Sequence, residues 1–127
     1  MKLRCTHNSI RIRVRKSDLE KLAQGGRVEE VVHLDPKSRL VFELIIGRNQ
    51  KQVKADFENG RLSIVLPEEQ AKHWIVSNEV GIEAYQALPE EDRLHILLEK
   101  DFPCLDRENE DKSDTFFELV PDKPEAC

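Results

Sequence analysis

Ser9-Ile10-Arg11-Ile12-Arg13-Val14-Arg15 alternates apolar and polar residues without a break. A β-strand turns successive side chains to opposite faces. The run therefore sets Ile10, Ile12 and Val14 on one side and Arg11, Arg13 and Arg15 on the other, with the guanidinium groups about 7 Å apart. The aliphatic side needs a core to cover it, and the arginine side needs water or an anion.

Outward from this strand, Ser17-Asp-Leu-Glu20 has the form of a capping box, in which a hydroxyl and a carboxylate satisfy the first free amides of a helix. Leu19, Leu22 and Ala23 would form that helix's apolar stripe, and Gly25-Gly26 would end it. Val28 to Leu34 predicts a strand, Asp35-Pro36-Lys37-Ser38 a turn, and Leu40 to Ile46 a nearly continuous apolar strand at the centre of a sheet. Val53, Ala55 and Phe57 alternate with polar neighbours, and Asn59-Gly60 joins them to Arg61-Leu-Ser-Ile-Val-Leu66. Asn-Gly between alternating runs is a hairpin signal, because both residues accept the positive φ of a type I′ turn. Pro67, Glu68 and Glu69 open a second short helix reaching about Trp74, and Glu79 to Tyr85 and Leu94 to Glu99 complete the strands.

A shift of 52 residues brings Ile10, Ile12 and Val14 onto Leu62, Ile64 and Leu66. It also brings Leu19, Leu22, Ala23 and Val28 onto Ala71, Trp74, Ile75 and Val80. The repeat-like units, about residues 8–34 and 60–85, share a pattern of strand, capped helix and strand with little residue identity. The expected fold is mainly β with two short helices, a small closed or partly open barrel within a single domain over residues 1–100. An acidic, largely irregular tail over 101–127 would follow. An open antiparallel sheet carrying both helices on one face is the other architecture the pattern allows.

The 127 residues carry a net charge of −5, unevenly spread. Residues 1–27 hold eight bases against two acids, and residues 86–127 hold thirteen acids against five bases. Such a division points to a polyanionic partner for the basic end, or to the acidic end lying over it, unless both are simply solvated surfaces. No apolar run approaches the ~18 residues of a membrane span. Cys5, Cys104 and Cys127 are too few and too scattered for a disulfide framework. A soluble protein of the cytosol is the expectation.

Motifs with chemistry are mostly missing. There is no phosphate loop, dinucleotide fingerprint, nucleophile elbow or zincin helix. Cys5 and His7 are the closest pair of ligand-type side chains, and Asp101 with Cys104 would be needed to complete a zinc site around them. Structural zinc sites usually come as two close-spaced pairs, so no metal and no cofactor is expected. His33, His73 and His95 fall at outward or boundary positions, and no catalytic residue is nominated.

Asn8-Ser-Ile-Arg-Ile-Arg-Val14, Glu79-Val-Gly-Ile-Glu83, and Leu98-Glu-Lys-Asp-Phe-Pro-Cys-Leu105 leading into Arg107-Glu-Asn-Glu-Asp111 resemble a family of short bacterial proteins known only as a domain of unknown function. That family tends to end in an acidic run followed by Phe-Pro-Asn-Pro, from which Asp114-Thr-Phe-Phe-Glu-Leu-Val-Pro121 departs. The resemblance implies a bacterial, cytoplasmic protein and no particular chemistry. The strand-helix-strand pattern is also similar to the AbrB-like and other cradle-loop barrels.

The expected function is that of a non-enzymatic binding module, with Arg11, Arg13 and Arg15 as the anion-binding residues. The expected partner is an acidic protein segment or the chain's own tail, through Asp106, Glu108, Glu110, Asp111 and Asp114. An AbrB-like nucleic-acid binder is the alternative, opposed by overall acidity and few polar aromatics. A small enzyme without a recognisable motif is a second alternative.

Overall fold

The computed structural model describes residues 1–101 and residue 119. Strand β1 (Lys2–Thr6) precedes β2 (Ser9–Val14), and the two pair as an antiparallel hairpin around His7 and Asn8, where Asn8 takes a φ of 47°. Strand β2 stops at Val14 rather than running through Arg15, because a helix takes over at once. The Asp18 carboxylate accepts the Arg15 backbone N–H at 2.8 Å, which makes Arg15 the N-cap of α1 (Lys16–Gly25). This cap replaces the expected Ser17–Glu20 box. Leu19 and Leu22 are buried, whereas Ala23 faces solvent. Gly26 closes the helix in the left-handed region at φ 73°, its N–H donating to Leu22 O at 2.8 Å.

Strand β3 (Arg27–His33) and the long β4 (Arg39–Gly47) form the next hairpin, and β4 is an inner strand as its apolar run requires. β5 (Lys54–Glu58) and β6 (Arg61–Pro67) turn through Asn59 and Gly60, both at positive φ. A Cβ on Gly60 would lie 2.8 Å from the Arg39 carbonyl oxygen, so the turn is closed to larger residues on two counts. After α2 (Glu68–Val76), which buries Ala71 and Trp74, come β7 (Gly81–Ala87) and β8 (Arg93–Lys100).

The strands form two four-stranded sheets, in the orders β1-β2-β8-β7 and β3-β4-β6-β5. They do not close into a barrel, so the mainly β class holds in its partly open form. Each sheet joins a hairpin from one half of the chain to a hairpin from the other, through a parallel central pair, β2 with β8 and β4 with β6. Hairpin, helix and hairpin thus follow one another twice in chain order. β3 and β7 correspond two residues later than the 52-residue shift implies, since Ser77 to Val80 separate α2 from β7 where Gly26 alone separates α1 from β3. Ile82, 3% exposed, therefore takes the place expected for Val80, which is 52% exposed.

Both sheets turn their aliphatic sides to one interior. Ile10, Ile12 and Val14 meet Ile96 and Leu98 of one sheet and Leu44, Ile64 and Leu66 of the other, with Leu22 and Trp74 from the helices. One seam between the sheets is bridged by a side chain: Gln86 Nε2 donates to Ala55 O at 3.0 Å, and its Oε1 accepts Ala55 N–H at 2.7 Å. An amide is suited to this place because it offers an edge strand both a donor and an acceptor. At the β1 end, the Met1 amino group lies 2.7 Å from Glu30 Oε1 and 3.3 Å from Asp18 Oδ2.

Candidate functional site

With the aliphatic residues of β2 turned inward, Arg11 and Arg13 point out from the first sheet. The β1 register sets Arg4 opposite Arg11 and Lys2 opposite Arg13. Neighbouring strands lie about 4.8 Å apart and alternate residues about 7 Å apart, so the four cations form a two-by-two block. Arg15, placed with them by the sequence pattern, is exposed beyond the end of the strand and outside the block. On the far side of β2, Glu99 of β8 reaches Arg13 Nε at 3.5 Å and Arg11 Nε at 3.8 Å. Lys2 Nζ lies 3.5 Å from Asp101, whose N–H donates to the Val14 carbonyl at 2.7 Å. Asp101 thus lies beside Lys2 and Val14.

The other end of this face is polar and aromatic. Tyr85 and His95 stack with centroids 4.8 Å apart, and the Arg93 guanidinium lies 4.4 Å from the Tyr85 ring centre. Ser9 Oγ is 3.3 Å from His95 Nδ1, and Glu83 Oε1 is 3.5 Å from His95 Nε2 while accepting the Tyr85 hydroxyl at 3.1 Å. Ser, His and Glu in line suggest an activated nucleophile, but both links exceed the ~2.6–3.2 Å that activation uses. Glu83 is exposed to water, and Ser9, His95 and Tyr85 stand in cross-strand register. His95 is accordingly half-buried and partnered, whereas His33 and His73 are exposed as expected.

The outward face of the second sheet is built differently. Glu43 of β4 is 1% exposed, yet accepts Arg27 Nε at 2.8 Å, Arg61 Nη1 at 2.6 Å and Ser63 Oγ at 2.7 Å. Arg61 also donates to Glu29 at 3.0 Å. Burial pushes the Glu43 carboxyl up, but the Ser63 hydroxyl and the Arg27 and Arg61 guanidiniums outweigh it and hold the group below its ordinary value. Sequence reasoning missed this network. Its one signal is an acid inside the apolar run Leu40 to Ile46.

Among the described residues, no three His, Cys, Asp or Glu side chains converge as metal ligands. Cys104 and the acidic residues Asp106, Glu108, Glu110, Asp111 and Asp114 lie outside the described residues. No described helix is long and apolar enough to cross a membrane.

Comparison with known proteins finds no curated protein and no solved structure that matches. The similarity to AbrB-like barrels therefore has no solved counterpart behind it. A family model does match, over residues 1–119, and the chain belongs to the family it describes, the family of unknown function DUF7009.

Proposed function

We propose that this protein is a non-enzymatic binding module whose β1-β2 face takes an extended acidic segment. The observation that carries the reading is the register that sets Lys2 beside Arg13 and Arg4 beside Arg11 on an outward sheet face. Guanidinium forks match carboxylates, and side chains two apart in an extended peptide repeat at the same ~7 Å as alternate positions of β2. The chain itself contains such a segment, since Asp106, Glu108 and Glu110 alternate. It follows closely on Asp101, which lies beside Lys2. In this reading the segment competes with an outside partner for the same cations.

A nucleic acid is the weaker reading, because the chain is acidic overall, with a net charge of −5, and has a single tryptophan and a single tyrosine on which bases could stack. A bacterial, cytosolic setting and descent of the two halves from one copied unit belong to this proposal as well. The correspondence of their element order supports that descent.

The test uses a labelled decapeptide of alternating glutamate and serine, and the full chain with and without neutralisation of its acidic segment. The neutral form carries Asp106→Asn, Glu108→Gln, Glu110→Gln, Asp111→Asn and Asp114→Asn. At low salt the neutral form binds the peptide, and at about 1 M salt, where screening falls to ~3 Å, it does not. Tighter binding by the neutral form than by the natural chain marks the segment as a competitor, and equal binding removes that part. No binding by either form overturns the reading.

A further inference from the structure

The geometry points to Leu97 as the residue that leaves the β1-β2-β8-β7 face open to a carboxylate from outside, an inference that rests on the binding reading above. The two parallel central pairs can be laid on each other. In one, Glu43 stands opposite Ser63, between the inward pairs Phe42 with Leu62 and Leu44 with Ile64. In the other, Leu97 stands opposite Arg11, between the inward pairs Ile96 with Ile10 and Leu98 with Ile12. At one outward position the chain supplies its own acid and surrounds it with donors. At the matching position it supplies an aliphatic side chain, and an arginine in place of the serine.

In the second sheet that point holds a carboxylate, taken by two guanidiniums and a hydroxyl at 2.6 to 2.8 Å. In the first sheet the places of Arg27 and Arg61 fall to Gly81 and Ser9, so a carboxylate there would depend on Arg11 and Arg4. The acid nearest Arg11 on the first sheet is Glu99, one step along β8, and its 3.8 Å and 3.5 Å separations are well outside that range. A ligand carboxylate above Leu97 would lie between Arg11, with Arg4 in register behind it, and Glu83 of β7, whose carboxylate accepts the Tyr85 hydroxyl. A second carboxylate two residues along an extended peptide would fall near Arg13 and Lys2. Leu97, half-buried, is the apolar floor beneath the first. Glutamate at this position would fill the place from within.

The experiment measures anisotropy of the same glutamate-serine decapeptide on the full chain with its acidic segment neutralised. Leu97→Glu is expected to weaken binding at least tenfold, Leu97→Met to leave it unchanged, and Glu99→Gln to tighten it several-fold. A glutamine-serine peptide should not bind. Circular dichroism checks that each variant is folded, and should Leu97→Glu fail to fold, the Glu99→Gln arm carries the test alone. If the parent does not bind the glutamate peptide, the binding reading itself falls. If it binds, but Leu97→Glu binds equally well or Glu99→Gln brings no gain, the assignment to Leu97 falls while the reading stands. Tighter capture of a thymidine oligonucleotide than of the peptide overturns the carboxylate preference.

Discussion

The outward faces of the two sheets share a plan of strands and differ in where their charges are answered. On β3-β4-β6-β5, Arg27 and Arg61 turn toward Glu43, an acid buried at the sheet's centre. On β1-β2-β8-β7, the cations crowd the β1-β2 side, and the central position holds Leu97. Burying a carboxylate is costly unless its lone pairs are filled, and Glu43 fills them with three donors from two other strands. Such a network holds strands β3, β4 and β6 to one register. In the cationic block on β1 and β2, Arg11 and Arg13 lie 3.8 and 3.5 Å from Glu99 and Lys2 lies 3.5 Å from Asp101, longer separations than those around Glu43.

The comparison breaks most clearly at Glu43 itself. Glu43→Ala should cost about 3 kcal/mol in urea unfolding, the low end for unpairing a buried ion pair, because Arg27 at 50% and Arg61 at 32% side-chain exposure still reach water. Leu97→Ala, at the matching position of the other sheet, should cost about 1 kcal/mol, for partial loss of a half-buried aliphatic chain. Equal losses would mean that the acid is no more than a spacer.

Acid titration sharpens the same contrast. Glu43 has a lower pKa folded than unfolded, so the unfolded chain binds more protons in the window between them. Its stabilisation is complete above the ordinary value of 4.5 and is lost as pH falls through the lower folded pKa. Asp35 and Glu68 are lowered too, by hydrogen bonds from the Lys37 backbone and the Lys72 side chain, and add slope of the same sign. The part due to Glu43 is the difference between the natural protein and Glu43→Gln, which should lose less stability on acidification. Parallel curves from pH 6 to pH 3 would contradict the assignment.

Serines on the two faces should differ next. Ser63→Ala leaves a buried carboxylate oxygen without its 2.7 Å donor and should cost about 2 kcal/mol. Ser9→Ala gives up a 3.3 Å contact to His95 and should cost about 0.5 kcal/mol or less. Thermal melts of the two variants decide this, and a larger loss at Ser9 would reverse the ranking of the faces.

These differences track what the sequence makes legible. Strict alternation sends Ile10, Ile12 and Val14 inward and Arg11 and Arg13 outward, and Asn59-Gly60 marks its hairpin by the φ it needs. Lys2-Leu-Arg-Cys-Thr6 alternates as well, but the run is short and polar, and it becomes a strand by pairing with β2. Arg15 continues the alternation yet leaves the strand, because the Asp18 carboxylate captures its N–H and starts a helix. Least legible are the parallel pairs β2 with β8 and β4 with β6, since periodicity assigns faces and not partners across the chain. The Glu43 network depends on those pairs, with Arg27 arriving from one side of β4 and Arg61 and Ser63 from the other. A lone acid in an apolar run announces a need for donors without naming them.

The smallest effect belongs to Arg4, and it separates folding from function most cleanly. Arg4 is exposed on edge strand β1, and an exposed cation contributes between nothing and about 1 kcal/mol to stability. Its partner in register is another cation, Arg11, so Arg4→Ser also relieves a like-charge pair across the strands. The two small terms oppose each other, and the melting temperature should not move measurably. Binding should behave otherwise, because an outside carboxylate above Leu97 would be shared by Arg11 and Arg4. Arg4→Ser is therefore expected to weaken the glutamate-serine peptide about threefold and to flatten its salt dependence, with the fold intact. A variant that melts early yet binds as before would assign Arg4 to the fold instead, and the cationic block would lose its claim to be a receptor.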